Sequence, residues 1–392
     1  MKKILWLTSW YPNSTDPFNG DFIKREAEAV SIYQPLQILH VAKFNPQSIS
    51  AEKDYSDFHS RNQNLEEHIL YYSSRSNERS VLSRYHSLKT YINRHLEFMK
   101  QLRKNDQWPD LIHVQVAMKA GLVALYLKWK YGVPYVLTEH WSGYYPVSKD
   151  SLYKKSVLTR FLTRLIIKHA ARFLPVSEDL GQEISRHWIP VPFQKIPNVV
   201  NTNLFHVSEK KGAGVFRFIH ISTLLYPKNP EGIIKAFVAL LKQDIHAELI
   251  LVGPLNPSIL ALIKASGLQP DQLIYTGEIP YEQVAVELRK SSALVMFSFY
   301  ENMPCVVLEA LCSGIPVIAT RVGGISEIVG NENGILINPG KEMELLNAMK
   351  DMIRNYHRFD RGKISRDASA QFSYDVIGKK ISDIYQAIPE KK

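Results

Sequence analysis

The chain has 392 residues, too long for one ordinary hydrophobic core and suited to two domains of about 200 residues each. Its 45% hydrophobic and 22% charged residues are those of a folded globular chain and exclude a disordered or collagen-like one. The net charge of +10 is lopsided: residues 1–205 carry 27 Lys/Arg against 18 Asp/Glu, and residues 206–392 carry 21 against 20. An anionic partner is therefore expected on the first half.

In chain order, the first half offers strands at Lys3 to Thr8, Leu36 to Val41, Leu111 to Val114, Tyr135 to Thr138 and Phe173 to Val176, with longer helical patterns between them. Met1 to Trp10 begins with basic residues, but its apolar run of about six residues is too short for a signal peptide and suits a buried strand. No later run approaches the roughly 18 apolar residues of a membrane-spanning helix. A cytoplasmic protein is the expectation. Two stretches are basic and amphipathic: Arg75 to Lys104, interleaved with Tyr85, Tyr91, Leu96 and Phe98, and Tyr153 to Arg172, interleaved with Leu158, Phe161, Leu162, Leu165, Ile166 and Ile167. Solvated helix faces explain them as well as an anionic membrane surface or a pyrophosphate-bearing acceptor does. No nucleic-acid-binding motif accompanies them, so no nucleic acid partner is expected.

Pro190, Pro192, Pro197 and the polar segment 209–214 place a domain boundary near residues 205–215. Beyond it, strands are expected at Phe216 to Ile221, Ala247 to Val252, Leu273 to Tyr275, Ala293 to Phe297, Pro316 to Ala319 and Gly334 to Ile337. Helical periodicity then continues to a last helix, 374–388, able to pack on either domain. Strands alternating with helices in both halves predict an α/β chain of two doubly wound domains, with ligands outside the carboxyl ends of the strands. No G-x-G-x-x-G follows the first strand of either half and no Walker sequence occurs, which disfavours a dinucleotide dehydrogenase and a P-loop enzyme. Cys305 and Cys312 are too few for a metal or disulfide framework.

The densest chemistry lies between Ser298 and Glu327. This stretch reads as strand, loop, helix, strand, loop, with Asn302 capping the helix, Pro304 in its first turn and Gly314 at its end. A helix amino terminus at a strand's carboxyl edge attracts phosphate. Glu301 falls in the loop and Glu309 about two turns into the helix, placed to bracket one hydroxyl-bearing ligand. Gly323-Gly324 allow close backbone approach to the same phosphates.

Glu301 and Glu309 in the spacing E-x7-E, followed by Ala310 to Val317 and then Gly323-Gly324, resemble the signature of the retaining GT-B glycosyltransferases of family four. The resemblance implies two Rossmann-like domains facing across a cleft. It implies that Glu301 contacts hydroxyls of the transferred sugar, with Asn302, Met303 and Pro304 beside it in the donor loop, and that Glu309 binds the nucleotide ribose. Ser9 to Phe22 is similar to the family's first loop, whose glycine, here Gly20, approaches donor phosphate or acceptor. Thr138-Glu139-His140 resembles the loop bearing the active-site histidine, and Pro197 to Phe205 the interdomain segment. Lys228 matches the lysine that neutralises the donor diphosphate, but Thr223 stands where the family usually has an arginine.

The expected function is retaining transfer of a hexose-type sugar from a nucleoside diphosphate sugar to a glycan or lipid-linked glycan. The catalytic candidates are His140, Lys228 and Glu301, and the donor-binding candidates are Gly20, Lys228, Glu301, Asn302, Met303, Pro304 and Glu309. The resemblance implies no metal and no cofactor beyond the donor itself. Cell-surface polysaccharide biosynthesis, on the inner face of the cytoplasmic membrane, is the expected setting. A non-catalytic binding partner on the same fold, motivated by Thr223, and an epimerase or phosphorylase activity remain open at this stage.

Overall fold

The computed structural model describes residues 1–44, 56–73, 80–208, 214–254 and 256–389. Of the first basic stretch, Arg75, Glu78 and Arg79 lie outside the described residues, as does most of the polar segment at 209–214. The chain forms two units: residues 1–176, 180–197 and 374–392 make the first, and 177–179 with 198–373 the second. The main change of unit thus falls at Pro197/Asn198, ahead of the expected 205.

The first unit contains β1 (Ile4–Thr8), α1 (Asp21–Ser31), β2 (Leu36–Phe44), β3 (Phe58–Asn62), β4 (Leu65–Ser73), α2 (Val81–Lys104), β5 (Leu111–Gln115), α3 (Ala120–Tyr131), β6 (Tyr135–Glu139), α4 (Val157–His169) and β7 (Arg172–Pro175). Helix α5 (Glu178–His187) follows, its first two residues counted with the second unit. The sheet order is β3-β4-β2-β1-β5-β6-β7, parallel except for the β3–β4 pair. β1, β5 and β6 are buried on both faces, as a helix-covered parallel sheet requires.

The second unit contains β8 (Phe216–Ile221), α6 (Pro230–Leu241), β9 (Ala247–Val252), α7 (Pro257–Ser266), β10 (Leu273–Gly277), α8 (Tyr281–Lys290), β11 (Ala293–Met296), α9 (Cys305–Cys312), β12 (Val317–Thr320), β13 (Gly334–Ile337), α10 (Glu342–Arg354) and α11 (Arg361–Phe372). Its sheet is wholly parallel, in the order β10-β9-β8-β11-β12-β13.

The last helix, α12 (Tyr374–Ala387), belongs to the first unit. It packs on α1 so closely that a Cβ at Gly378 would lie 2.2 Å from the Ala29 carbonyl oxygen. Ile377, Ile381 and Tyr385 are fully buried. Lys2, itself buried, donates to the carbonyls of Tyr385 (2.8 Å), Gln386 (3.3 Å) and Ile388 (2.5 Å), placing a cation where the helix dipole is negative. The Tyr385 hydroxyl accepts from Trp6 Nε1 at 2.9 Å and bonds His113 Nδ1, whose other ring nitrogen lies 2.7 Å from Thr138 Oγ1. Among the described residues no helix is long and apolar enough to cross a membrane.

Candidate functional site

Each sheet reverses its winding once. In the second unit β8 is flanked by β9 and β11, so the crevice lies outside the carboxyl ends of β8 and β11. Lys228 follows β8 and Glu301 follows β11. Lys228 Nζ bonds both carboxylate oxygens of Glu301, at 2.6 and 2.7 Å, and Ser298 Oγ donates to Oε1 at 2.7 Å. The Glu301 side chain is 7% exposed and that of Lys228 22%, so the pair is largely withdrawn from water while the ammonium keeps an open side. Thr223, on the same loop as Lys228, is exposed.

The loop carrying Glu301 is held from below. Gly323 adopts φ +49°, and a Cβ there would lie 1.9 Å from the Glu301 carbonyl oxygen. Gly324 N–H donates to the Asn302 carbonyl at 2.7 Å, and Asn198 Nδ2 to the Met303 carbonyl at 2.6 Å. Of the two amides expected to approach phosphate at Gly323-Gly324, that of Gly324 is spent on the Glu301 loop, and both glycines allow the close packing of the two loops. Asn302 is not the helix cap. Pro304 occupies that position and α9 begins at Cys305, because proline's fixed φ suits entry to a helix, while Asn302 is buried within the loop. Glu309 consequently sits just over one turn into α9 rather than two. It is 4% exposed and accepts from the Tyr281 hydroxyl at 2.9 Å, a partner from α8 that no sequence spacing announces. Cys312 is a buried thiol pushed up to about 12 by burial.

In the first unit the winding reverses at β1, flanked by β2 and β5, and the loops after β1, β5 and β6 are again at carboxyl ends. His140 follows β6 and is buried. Glu139 holds its loop by accepting from the amides of Ala117 (3.0 Å), His140 (3.0 Å) and Trp141 (2.9 Å) and from the Tyr144 hydroxyl (2.8 Å). His140 Nε2 lies 3.0 Å from Gln115 Oε1, and Gln115 Nε2 donates to Glu26 Oε1 at 2.8 Å. Burial pushes the Glu26 carboxyl up to about 7, against the lowering effect of the Gln115 bond. Gly20 opens α1 at φ +67°, with room for a Cβ denied by the Trp10 backbone at 2.8 Å. Phe22, on the first turn of that helix, brings its ring centroid to 4.8 Å from that of His140. Gly20's helix and His140 thus share one end of the first sheet, and Lys228 and Glu301 share one end of the second.

The comparisons fit this geometry. Residues 202–368 match the model for glycosyl transferases group 1, and residues 58–204 that for glycosyltransferase family 4. TuaC of Bacillus subtilis, a glycosyltransferase provisionally assigned to teichuronic acid biosynthesis, is 25% identical over 96% of this chain and 93% of its own. Among solved structures, sucrose-phosphate synthase from Thermosynechococcus elongatus superposes with a TM-score of 0.78 at 20% identity, covering 98% of both chains. Anabaena HepE, in complex with UDP and glucose, superposes at 0.71 and 16% identity, covering 99% of this chain and 100% of that one. With both halves matched, two parallel α/β sheets and the E-x7-E stretch following β11, the chain belongs to the family 4, group 1 glycosyltransferases of GT-B fold.

Proposed function

We propose that this glycosyltransferase is a retaining hexosyltransferase that moves a sugar from a nucleoside diphosphate donor to a glycan or lipid-linked glycan in cell-surface polysaccharide biosynthesis. The observation that carries the donor assignment is the Lys228–Glu301 pair at the winding reversal of the second sheet. In this reading Lys228 turns from Glu301 to the diphosphate and stabilises the charge that develops on the leaving group, the electrostatic contribution that such sites depend on most. Glu301, freed of its ion pair, accepts from sugar hydroxyls, and Glu309, aimed by Tyr281, accepts from the ribose. With Thr223 in place of a second cation, Lys228 carries more of the diphosphate charge. In the same reading His140 takes the active-site role that the family resemblance implies, Gly20 approaches donor phosphate or acceptor, Asn302, Met303 and Pro304 belong to the donor loop, and no metal or cofactor takes part. The HepE complexes with UDP and glucose and TuaC's assignment support the donor class and the polymer setting.

The acceptor reading rests on a cavity of about 720 Å³ in the first unit, lined among others by Trp10, Asn19, Arg84, Lys119, Trp141 and Lys155. Indole faces suit sugar rings, and the cations suit a phosphate-bearing or acidic glycan. Nearby in sequence, α4 exposes Val157, Leu158 and Phe161 beside Arg160 and Arg164, a surface fitted to an anionic membrane leaflet on the cytoplasmic side.

Calorimetry with a panel of nucleoside diphosphates and their sugars tests the donor assignment, and mass spectrometry with NMR of the product tests transfer and anomeric retention. Failure to bind any nucleoside diphosphate, or an inverted product, refutes the proposal. Donor conversion without acceptor would make the protein an epimerase instead.

A further inference from the structure

The antiparallel hairpin at the edge of the first sheet carries a cluster that the transferase reaction does not use. His59 on β3 and His68 on β4 are direct cross-strand partners, and Glu66 lies two residues before His68 on the same face. Both imidazoles aim Nε2 at one carboxylate oxygen: His59 Nε2 is 3.0 Å and His68 Nε2 3.1 Å from Glu66 Oε1. One donor atom from each of the three residues lies within 4.8 Å of the others. Glu66 Oε2 accepts from Gln37 Nε2 at 3.2 Å, and the His68 ring packs 4.6 Å from that of Phe98 on α2. Two of the three ligands are thus already oriented by neighbours outside the cluster, the arrangement that fixes ligands in metal sites.

The geometry points to a divalent transition-metal site of the zinc class formed by His59, Glu66 and His68, with solvent in the remaining position. Tetrahedral zinc at ordinary Zn–N and Zn–O lengths separates neighbouring ligand atoms by about 3.3–3.5 Å, so the histidines need to open from Glu66 by only about 0.3 Å. Their rings, stacked at 22° with centroids 4.5 Å apart, also have to splay for one ion to lie in both ring planes. His59, whose side chain is 55% exposed, has the room to do so. Two imidazoles and one carboxylate favour zinc, nickel or copper over magnesium, which prefers an all-oxygen set. The site ties β3, an exposed strand that among the described residues pairs only with β4, to its partner, and so acts as a staple for the hairpin rather than as a catalytic centre.

The test uses tag-free full-length protein stripped with EDTA and titrated with Zn²⁺ by calorimetry, and with Co²⁺ by visible absorption. One equivalent of Zn²⁺ is expected to bind, with a tetrahedral Co²⁺ spectrum and no competition from Mg²⁺. His59→Ala, at an exposed position, is expected to fold as wild type and to weaken binding at least tenfold, and His68→Gln and Glu66→Gln to weaken it likewise. Zinc is expected to raise the melting temperature of the wild type and not of His59→Ala. Absence of stoichiometric binding, or equal affinity in wild type and His59→Ala, overturns the site and leaves Glu66 as a hydrogen-bonded bridge between two histidines.

Discussion

Replacing Gly323 by alanine probes the loop that carries Glu301 without touching a charged group. The left-handed backbone at φ +49° costs an L-residue about 1–2 kcal/mol. The new Cβ would lie 1.9 Å from the Glu301 carbonyl oxygen, whereas real Cβ contacts stay above 3.0 Å, so the two loops must part by roughly 1 Å. That parting threatens the 2.7 Å bond from Gly324 N to Asn302 O, worth about 1 kcal/mol net. Together these give a destabilisation of about 2–3 kcal/mol and a fall in melting temperature of about 4–12 °C for a domain of this size. Because the displaced segment carries Glu301, kcat/KM is expected to drop about 100-fold, the usual consequence of misplacing a substrate-positioning group by such a distance. Gly330→Ala, where a Cβ meets nothing within 4 Å, is the control and is expected to match wild type. Calorimetric melting and transferase kinetics on the three proteins decide the matter. If Gly323→Ala melts and turns over like wild type, the claim that the Gly323 turn positions Glu301 is wrong.

Lys228→Ala leaves a nearly buried carboxylate with Ser298 as its remaining side-chain partner among the described residues, so donor affinity and kcat should both fall, and Glu301→Gln in the same background should recover stability but not activity, as urea unfolding and kinetics would show. Tyr385→Phe strips the shared hydroxyl from Trp6 Nε1 and His113 Nδ1, two buried groups, and should cost about 1–3 kcal/mol in urea unfolding. Glu26 holds its proton to about pH 7 in the native state and to 4.5 as its reference value, so the native protein binds more protons in between. Its contribution is full below pH 4.5 and is lost as pH rises through 7, by about 3 kcal/mol. Glu26→Gln should therefore gain stability relative to wild type at pH 8 and not at pH 4.5. The buried His40, His95 and His220, each lowered by burial to about 4, slope the other way, so the wild-type-minus-variant difference is the quantity to measure. Leu158→Ser with Phe161→Ser should reduce sedimentation with anionic vesicles at low salt without altering the melting temperature.

The strands β1, β5, β6, β11 and β12 are legible because each is a short run buried on both faces, and β8, β9 and β13, less completely buried, also lie where their apolar runs predict. The β3–β4 hairpin is not legible. β3 is exposed along most of its length and β4 interrupts its alternation with Glu66, Glu67 and His68, so neither shows the apolar pattern of a core strand. The expected strands also stopped one residue short at Val114 and Thr138, at the buried polar Gln115 and Glu139 that orient His140. Polar residues read as strand ends when the bonds that satisfy them are out of view. Glu301 is legible from its place in a strand-loop-helix stretch and Lys228 from the family resemblance, yet their ion pair joins residues 73 positions apart, and the winding of the sheet brings those loops to one edge.

The docking of α12 bears on the order in which the molecule is made. Residues 198–373 emerge from the ribosome as a complete second unit, able to bury their core as soon as α11 is free. The first unit, although most of it is synthesised earlier, waits for the final residues: until Tyr385 arrives, Trp6 and His113 lack its hydroxyl, and until the end of α12 arrives Lys2 has no helix to cap. The half that starts first is thus the half that finishes last, and a chain cut short before residue 374 would present a folded second unit joined to a first unit with an open core.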